Sequence, residues 1–312
     1  MSTVSRFLFL FLLLSLAATS PVLTAEVKNG FRLEDPLVPL QMIQSGGPPR
    51  DGIPALSRPG FISAGEAEFL EPRDRVLGVS LNGITRAYPI KILNYHEIVN
   101  DQFGEETVVV TFCPLCGTGI VFRGLFDGVE HSFGVSGLLY NSDVLMYDHQ
   151  TESLWSQIAG QAIAGPRKGT RLERLPVSHT TWDDWRSRYP DTQVLSIETG
   201  YNRNYYRDPY RGYGSSSEVW FPVSHNDDRY SAKELVIGLE IDGQFKAYPF
   251  TELPKGSDKV FDHHVGHDVV VEYDRDDLSG RVLDPQGREI PTFLVFWFAW
   301  VAFHPNTAVY EP

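Results

Sequence analysis

Short apolar runs rich in Val, Ile, Tyr, Phe and Thr recur along the chain, with Gly and Pro between them. Val76 to Leu81, Val108 to Phe112, Ile120 to Phe122, Val144 to Tyr147 and Val269 to Tyr273 read as strands. Asn82-Gly83 and Asp242-Gly243 predict tight hairpin turns, because these residue types tolerate positive φ. Helices are few and short. The clearest begins at Thr180 or Thr181, passes through Trp182-Asp183-Asp184-Trp185 and stops before Pro190. A threonine cap, early acids and a terminal proline supply its start and stop signals. The expected class is mainly β with a few short helices.

The pattern repeats. Val76-Leu77-Gly78-Val79-Ser80-Leu81-Asn82-Gly83, followed by Arg86-Ala87-Tyr88-Pro89, aligns without a gap on Val236 to Gly243 and Lys246-Ala247-Tyr248-Pro249. Asp101 and Val108 to Val110 then find Asp262 and Val269 to Val271. Trp182, Trp185, Pro190, Thr192 and Val194 find Trp297, Trp300, Pro305, Thr307 and Val309, in the same order. This reads as a degenerate duplication of one strand-rich unit, hairpin first and Trp-bearing helix last. The expected organisation is a signal segment over 1–25, an extension over 26–73, a first unit over 74–200, and a linker with a shorter second unit over 201–312.

Arg6 followed by the apolar run Phe7 to Ala18 and by small residues up to Ala25 is a secretory-signal pattern, so export to a periplasmic or extracellular space is expected. The run is shorter than the ~20 residues a spanning helix needs. Phe293 to Phe303 is also too short and reads as a buried segment, so no membrane span is expected after signal removal. The remaining chain is long enough for a substantial core, as one large domain or two joined units. A formal net charge of −13 argues against nucleic acid or anionic membrane surfaces as partners. Nothing indicates a nucleotide or organic cofactor.

Only two cysteines occur, in Cys113-Pro114-Leu115-Cys116-Gly117. The second unit has Asp274-Arg275-Asp276-Asp277-Leu278 at that place, and it lacks a counterpart to Phe133 through Lys168. What occurs in the first unit alone is where a specific activity belongs. Pro114 and Gly117 suit a tight turn between two strands, which gathers both sulfurs on a knuckle. A thioredoxin-type pair sits instead where a strand enters a helix. A disulfide closing so small a loop stabilises by only about 2 kcal/mol before strain. Three uses remain open: a structural bridge, a thiol–disulfide oxidoreductase couple with Cys113 attacking, and a metal site, copper first and zinc second. For the metal, His96 is the expected third ligand, oriented by Asn94 or Glu97, because the second unit has no histidine at its place. Met146 is a further candidate through its thioether, and His131 and His149 are lesser ones. Asp143, Asp148 and Glu152 are candidates for acid–base chemistry near the thiols. A binding module presenting the loops from Phe133 to Trp155 is the third functional class.

The runs Asn94 to Asp101, Thr111 to Gly117, Phe133 to Asp143 and Met146 to Gln157 resemble the bacterial and archaeal family of unknown function DUF3179, from about Asp74 to the C-terminus. Members often carry arginine where His149 stands, which implies that His149 is a poor ligand. The resemblance implies no particular activity.

Overall fold

The structure is a computed structural model and describes residues 26–312; the expected signal segment lies outside the described residues. The chain is mainly β, with three short α-helices among the described residues, Ile90–Leu93, Trp182–Arg188 and Trp297–Phe303. Each run read as a strand lies in one: Arg75–Leu81, Glu106–Cys113, Thr118–Arg123, Asp143–Asp148 and His267–Asp274. The helix expected after Thr181 begins at Trp182, and the Thr181 side chain accepts a hydrogen bond from the Asp184 N–H. The apolar run from Phe293 divides between the strand Thr292–Phe296 and the helix Trp297–Phe303, whose residues from Trp297 to Ala302 are all buried. Among the described residues no helix is long and apolar enough to cross a membrane.

The two hairpins share one geometry. Asn82 and Gly83 turn at φ 53 and 75°, Asp242 and Gly243 at 49 and 72°. Val76 faces Pro89 and Leu81 faces Ile84; Val236 faces Pro249 and Ile241 faces Gln244. Ser178–Thr181 pairs antiparallel with the first hairpin, placing Ser178 on Gly78, and Thr292–Phe296 pairs with the second, placing Phe293 on Gly238. In each half the helix that follows lays a tryptophan on that glycine. A Cβ on Gly78 would come within 2.2 Å of the Trp185 ring, and one on Gly238 within 2.4 Å of Trp300. Trp185 Nε1 donates to Thr192 and Trp300 Nε1 to Thr307, each at 2.9 Å.

A three-stranded meander follows each hairpin: Ile98–Phe103, Glu106–Cys113 and Thr118–Arg123 in the first half, Lys259–His264, His267–Asp274 and Ser279–Leu283 in the second. The meanders cross over. Ser279–Leu283 joins Ser178–Thr181 of the first half and completes a nine-stranded sheet. The turn before Thr118–Arg123 meets the second half, where the Phe296 N–H donates to the Cys116 carbonyl at 2.9 Å. Residues 26–73 add strands to three sheets, Ile43–Ser45 beside Phe133–Tyr140, Leu56–Ser57 beside Ile98–Phe103, and Phe61–Ser63 beside Gln193–Leu195. The hairpin Phe133–Tyr140 and Asp143–Asp148 packs over the cysteine turn, and Cys113, Cys116, Met146, Trp155, Trp297 and Trp300 share one core cluster.

Candidate metal centre

Cys113 ends its strand opposite Thr118, so Pro114 to Gly117 form a closed turn. Gly117 takes φ 65°, and a Cβ there would lie 2.8 Å from the Phe296 ring, so both conformation and space demand glycine. The turn aims both sulfurs inward. Cys113 Sγ lies 3.7 Å and Cys116 Sγ 3.5 Å from one acceptor, the Ser142 carbonyl. Both thiols are free, and their residues are 1% and 0% exposed.

The opposing wall is the tip of the hairpin Phe133–Asp148. Asn141 and Ser142 both adopt positive φ, 54 and 62°, which for serine is strained. The turn is held from outside: Asn141 donates to Ala302 O and accepts from the Ser224 N–H, and Ser142 Oγ donates to Phe221 O. This conformation presents the Ser142 carbonyl and the Asp143 carboxylate to the sulfurs. Ligand atoms of Cys113, Cys116 and Asp143 all lie within 4.8 Å of one another. Asp143 Oδ2 accepts from the Ile158 N–H at 3.0 Å and from Ser156 Oγ at 3.2 Å, while Oδ1 has no hydrogen-bond partner. Burial outweighs those bonds and lifts the carboxyl to about 7. Burial, then the neighbouring Cys113, pushes the Cys116 thiol well up. Lys233 is the cation facing Cys116; its Nζ donates to Glu218 O and sits 3.3 Å from the centre of the Tyr213 ring, and burial lowers it to about 8. The buried Tyr213 hydroxyl has no partner, and burial, then the charge of the two cysteines, raises it.

The structure brings Asp143 to the thiols and leaves the other expected residues elsewhere. His96 does not complete the site. Its Nδ1 is 2.7 Å from Pro54 O, which can only accept, so Nε2 must accept from the Tyr205 hydroxyl at 2.6 Å. Burial holds this ring neutral, and no lone pair is left for a metal. Asn94 donates to Asp208, so it orients nothing at the thiols. Met146 is fully buried in the same core cluster, opposite Trp155, as packing. Asp148 is structural: it accepts from the Thr151 N–H and hydroxyl and from the Trp155 indole, fixing turn and ring. Glu152 is exposed on the surface, at φ 57° in the turn after Asp148, and pairs with Arg50 at 2.8 Å. His131 stacks on Phe126, and His149 meets Ser132 at the surface.

Sequence reasoning missed Lys233, Tyr210 and Tyr213. They come from Ser196 to Glu234, a stretch that forms neither helix nor strand and so carries no periodicity to read. From the sequence Glu97 reads only as an orienting group. Its buried carboxyl is raised to about 8, by burial and by the Asp143 charge, against the lowering effect of Tyr210.

The family model for proteins of unknown function DUF3179 matches residues 50–284. The chain belongs to that family. The DUF3179 match begins earlier than Asp74 and takes in Leu56–Ser57 and Phe61–Ser63, which the fold shows to be sheet strands. It ends before the helix Trp297–Phe303. Neither the curated proteins nor the solved structures provide a match.

Proposed function

We propose that this DUF3179 protein binds one divalent metal ion, zinc before copper, through Cys113, Cys116 and Asp143. The observation that carries the reading is the buried Asp143 carboxylate, one oxygen of it unpartnered, beside two free thiols. Zinc bonds of about 2.0–2.3 Å set tetrahedral ligands about 3.5–3.8 Å apart, so only a small contraction is needed. The hard carboxylate in place of an imidazole or thioether reorders the metals, because copper(I) favours soft ligands throughout. Two thiolates and a carboxylate exceed the charge of a divalent ion by one, and the Lys233 ammonium facing Cys116 is placed to balance it. Metal binding takes up the free energy of deprotonating buried thiols. Three protein ligands leave a fourth position open, as catalytic zinc sites do.

The alternative reading is a thiol–disulfide couple, favoured by the Asp143 carboxyl as a proton acceptor beside Cys116. Sulfurs this buried offer nothing for a partner's disulfide to meet, which places this reading second. Protein purified without an affinity tag from zinc- and copper-supplemented cells separates the two. About one zinc per chain is expected, lost on Cys113→Ser with Cys116→Ser and on Asp143→Asn. Metal-free protein that forms a Cys113–Cys116 disulfide at a potential well above about −300 mV would establish the redox couple instead. We also propose export, supported by Arg6 and the apolar run from Phe7; N-terminal sequencing of the mature protein from fractionated cells tests it.

A further inference from the structure

We propose that a pocket on the Leu115 side of the cysteine turn binds one small uncharged molecule, about the size of a single six-membered ring, with one polar group directed at Glu97. The pocket has a volume of about 160 Å³. Its walls are mainly apolar, with Leu115, Val135, Leu138, Leu139 and Val144 on the inside and Trp220 at the mouth, 51% exposed. Two of these residues tie it to the centre already described: Leu115 stands between the two cysteines, and Val144 follows Asp143.

The space is built into the chain. The Phe133–Tyr140 strand slips register between Val135 and Leu138, a bulge that interrupts the sheet beside the pocket. Gly137, at φ 72°, and Gly46 line it, and a Cβ on Gly46 would come within 3.3 Å of Leu139. The outer wall, Tyr210, Trp220 and Phe221, comes from the irregular stretch after Ser196, and long structureless segments in compact domains commonly serve binding.

Size and lining choose the ligand class. A dry apolar cavity of about 150 Å³ admits benzene, whereas drug-sized ligands need roughly 300 Å³ or more. The polar groups here are the Glu97 carboxyl and the Tyr210 phenol. Glu97 is 6% exposed, and its φ of 56° closes the turn after the helix Ile90–Leu93, where its N–H donates to Leu93 O. Among the described residues no cationic side chain lines the pocket to pair with an anion, and a hydrated cation would be stripped of water against leucines and valines. An uncharged ring with one hydroxyl or carbonyl satisfies both walls. The inference stands on the pocket alone and does not require bound metal.

Calorimetric titration of the protein as purified with phenol, toluene and benzoate tests it. Phenol should bind saturably, with toluene weaker and benzoate at least ten-fold weaker than phenol. Leu139→Trp, which fills the pocket, should weaken phenol at least ten-fold while leaving the metal content unchanged. Leu139→Ala, which enlarges it, should shift the preference toward 2-naphthol; this second variant keeps the test decisive should the tryptophan variant not fold. Absent phenol binding, benzoate binding as tight as phenol, or equal phenol affinity in wild type and Leu139→Trp would overturn the inference. Metal content, measured in the same samples, reports separately on the zinc reading.

Discussion

Replacing Asp143 by asparagine should change how the stability of metal-free protein depends on pH, by an amount set by the site. Burial lifts the Asp143 carboxyl from 3.8 to about 7 in the folded protein. Between those values the unfolded chain has released the proton and the folded chain keeps it. Rising pH therefore favours unfolding by about 1.4 kcal/mol per unit. The penalty is absent below the unfolded value, grows through the interval and levels off above about 7. Between pH 5 and pH 8 it amounts to about 2–3 kcal/mol. Wild-type protein alone does not isolate the effect. His179 and His304 are held neutral by burial, His304 at about 3, so their contribution to stability is lost as pH falls below the ordinary histidine value. That slope runs the opposite way. Glu97, raised to about 8, adds a slope in the same sense as Asp143, and the part due to the Asp143 charge disappears with it. Subtracting the asparagine variant from wild type cancels the histidines. The asparagine carbonyl oxygen keeps an acceptor for the Ile158 N–H and Ser156 Oγ. Urea denaturation in chelator and reductant at pH 5, 6, 7 and 8 measures the difference. Wild type should lose about 2–3 kcal/mol relative to the variant across that range. A difference flat to within about 0.5 kcal/mol would refute the buried-carboxyl argument.

Gly78→Ala and Gly238→Ala should each destabilise by about 1–3 kcal/mol, because both drive a methyl into a buried tryptophan ring; thermal denaturation of the two variants checks that the losses are of similar size. Cys113→Ser with Cys116→Ser should lower the stability of metal-free protein by no more than about 2 kcal/mol, since no disulfide is lost and each hydroxyl can donate to Ser142 O; a loss beyond about 4 kcal/mol in chelator would mean that the thiols carry the packing. Glu152→Ala should leave metal content unchanged and alter stability by under about 1 kcal/mol, as expected of an exposed ion pair; metal analysis and urea denaturation would show otherwise.

The strands, both hairpin turns and the Trp182 helix were legible because each rests on local signals: short β-rich runs, Asn-Gly and Asp-Gly, a threonine cap. The location of the site was legible for a different reason. The cysteines and the Phe133 to Lys168 stretch stand out only against the second half, which lacks them. The third member of the Cys113, Cys116 and Asp143 cluster was not legible. His96 lies before the cysteine strand, and the absence of a histidine at the matching place in the second half suggested it, but the Pro54 carbonyl and the Tyr205 hydroxyl claim its two nitrogens. Asp143 was noticed as one of three acids in a turn-rich segment. What separates it from Asp148 and Glu152 is the fold of the hairpin tip, where consecutive positive φ values at Asn141 and Ser142 turn it inward. That conformation depends on Ala302, Phe221 and Ser224, all distant in sequence.

The comparison between halves also explains why the chemistry belongs to one of them. Matching hairpin registers, crossed meanders and equivalent Trp–Thr bonds support our reading of a degenerate duplication. At the place of the cysteines the second half has Asp274 and Asp277. Asp274 Oδ1 accepts from the N–H groups of Asp276 and Asp277, closing the turn on itself, and Asp277 Oδ2 accepts from the Thr181 hydroxyl. These acids are satisfied by their own turn and by the neighbouring strand. The first-half turn is not self-sufficient: its thiols find their acceptor in Ser142 and their carboxylate in Asp143, both on the Phe133–Asp148 hairpin. That hairpin has no counterpart in the second half. The scaffold alone therefore produces a closed turn, and the added hairpin brings to the same turn a carboxylate with one unpartnered oxygen, close to two sulfurs.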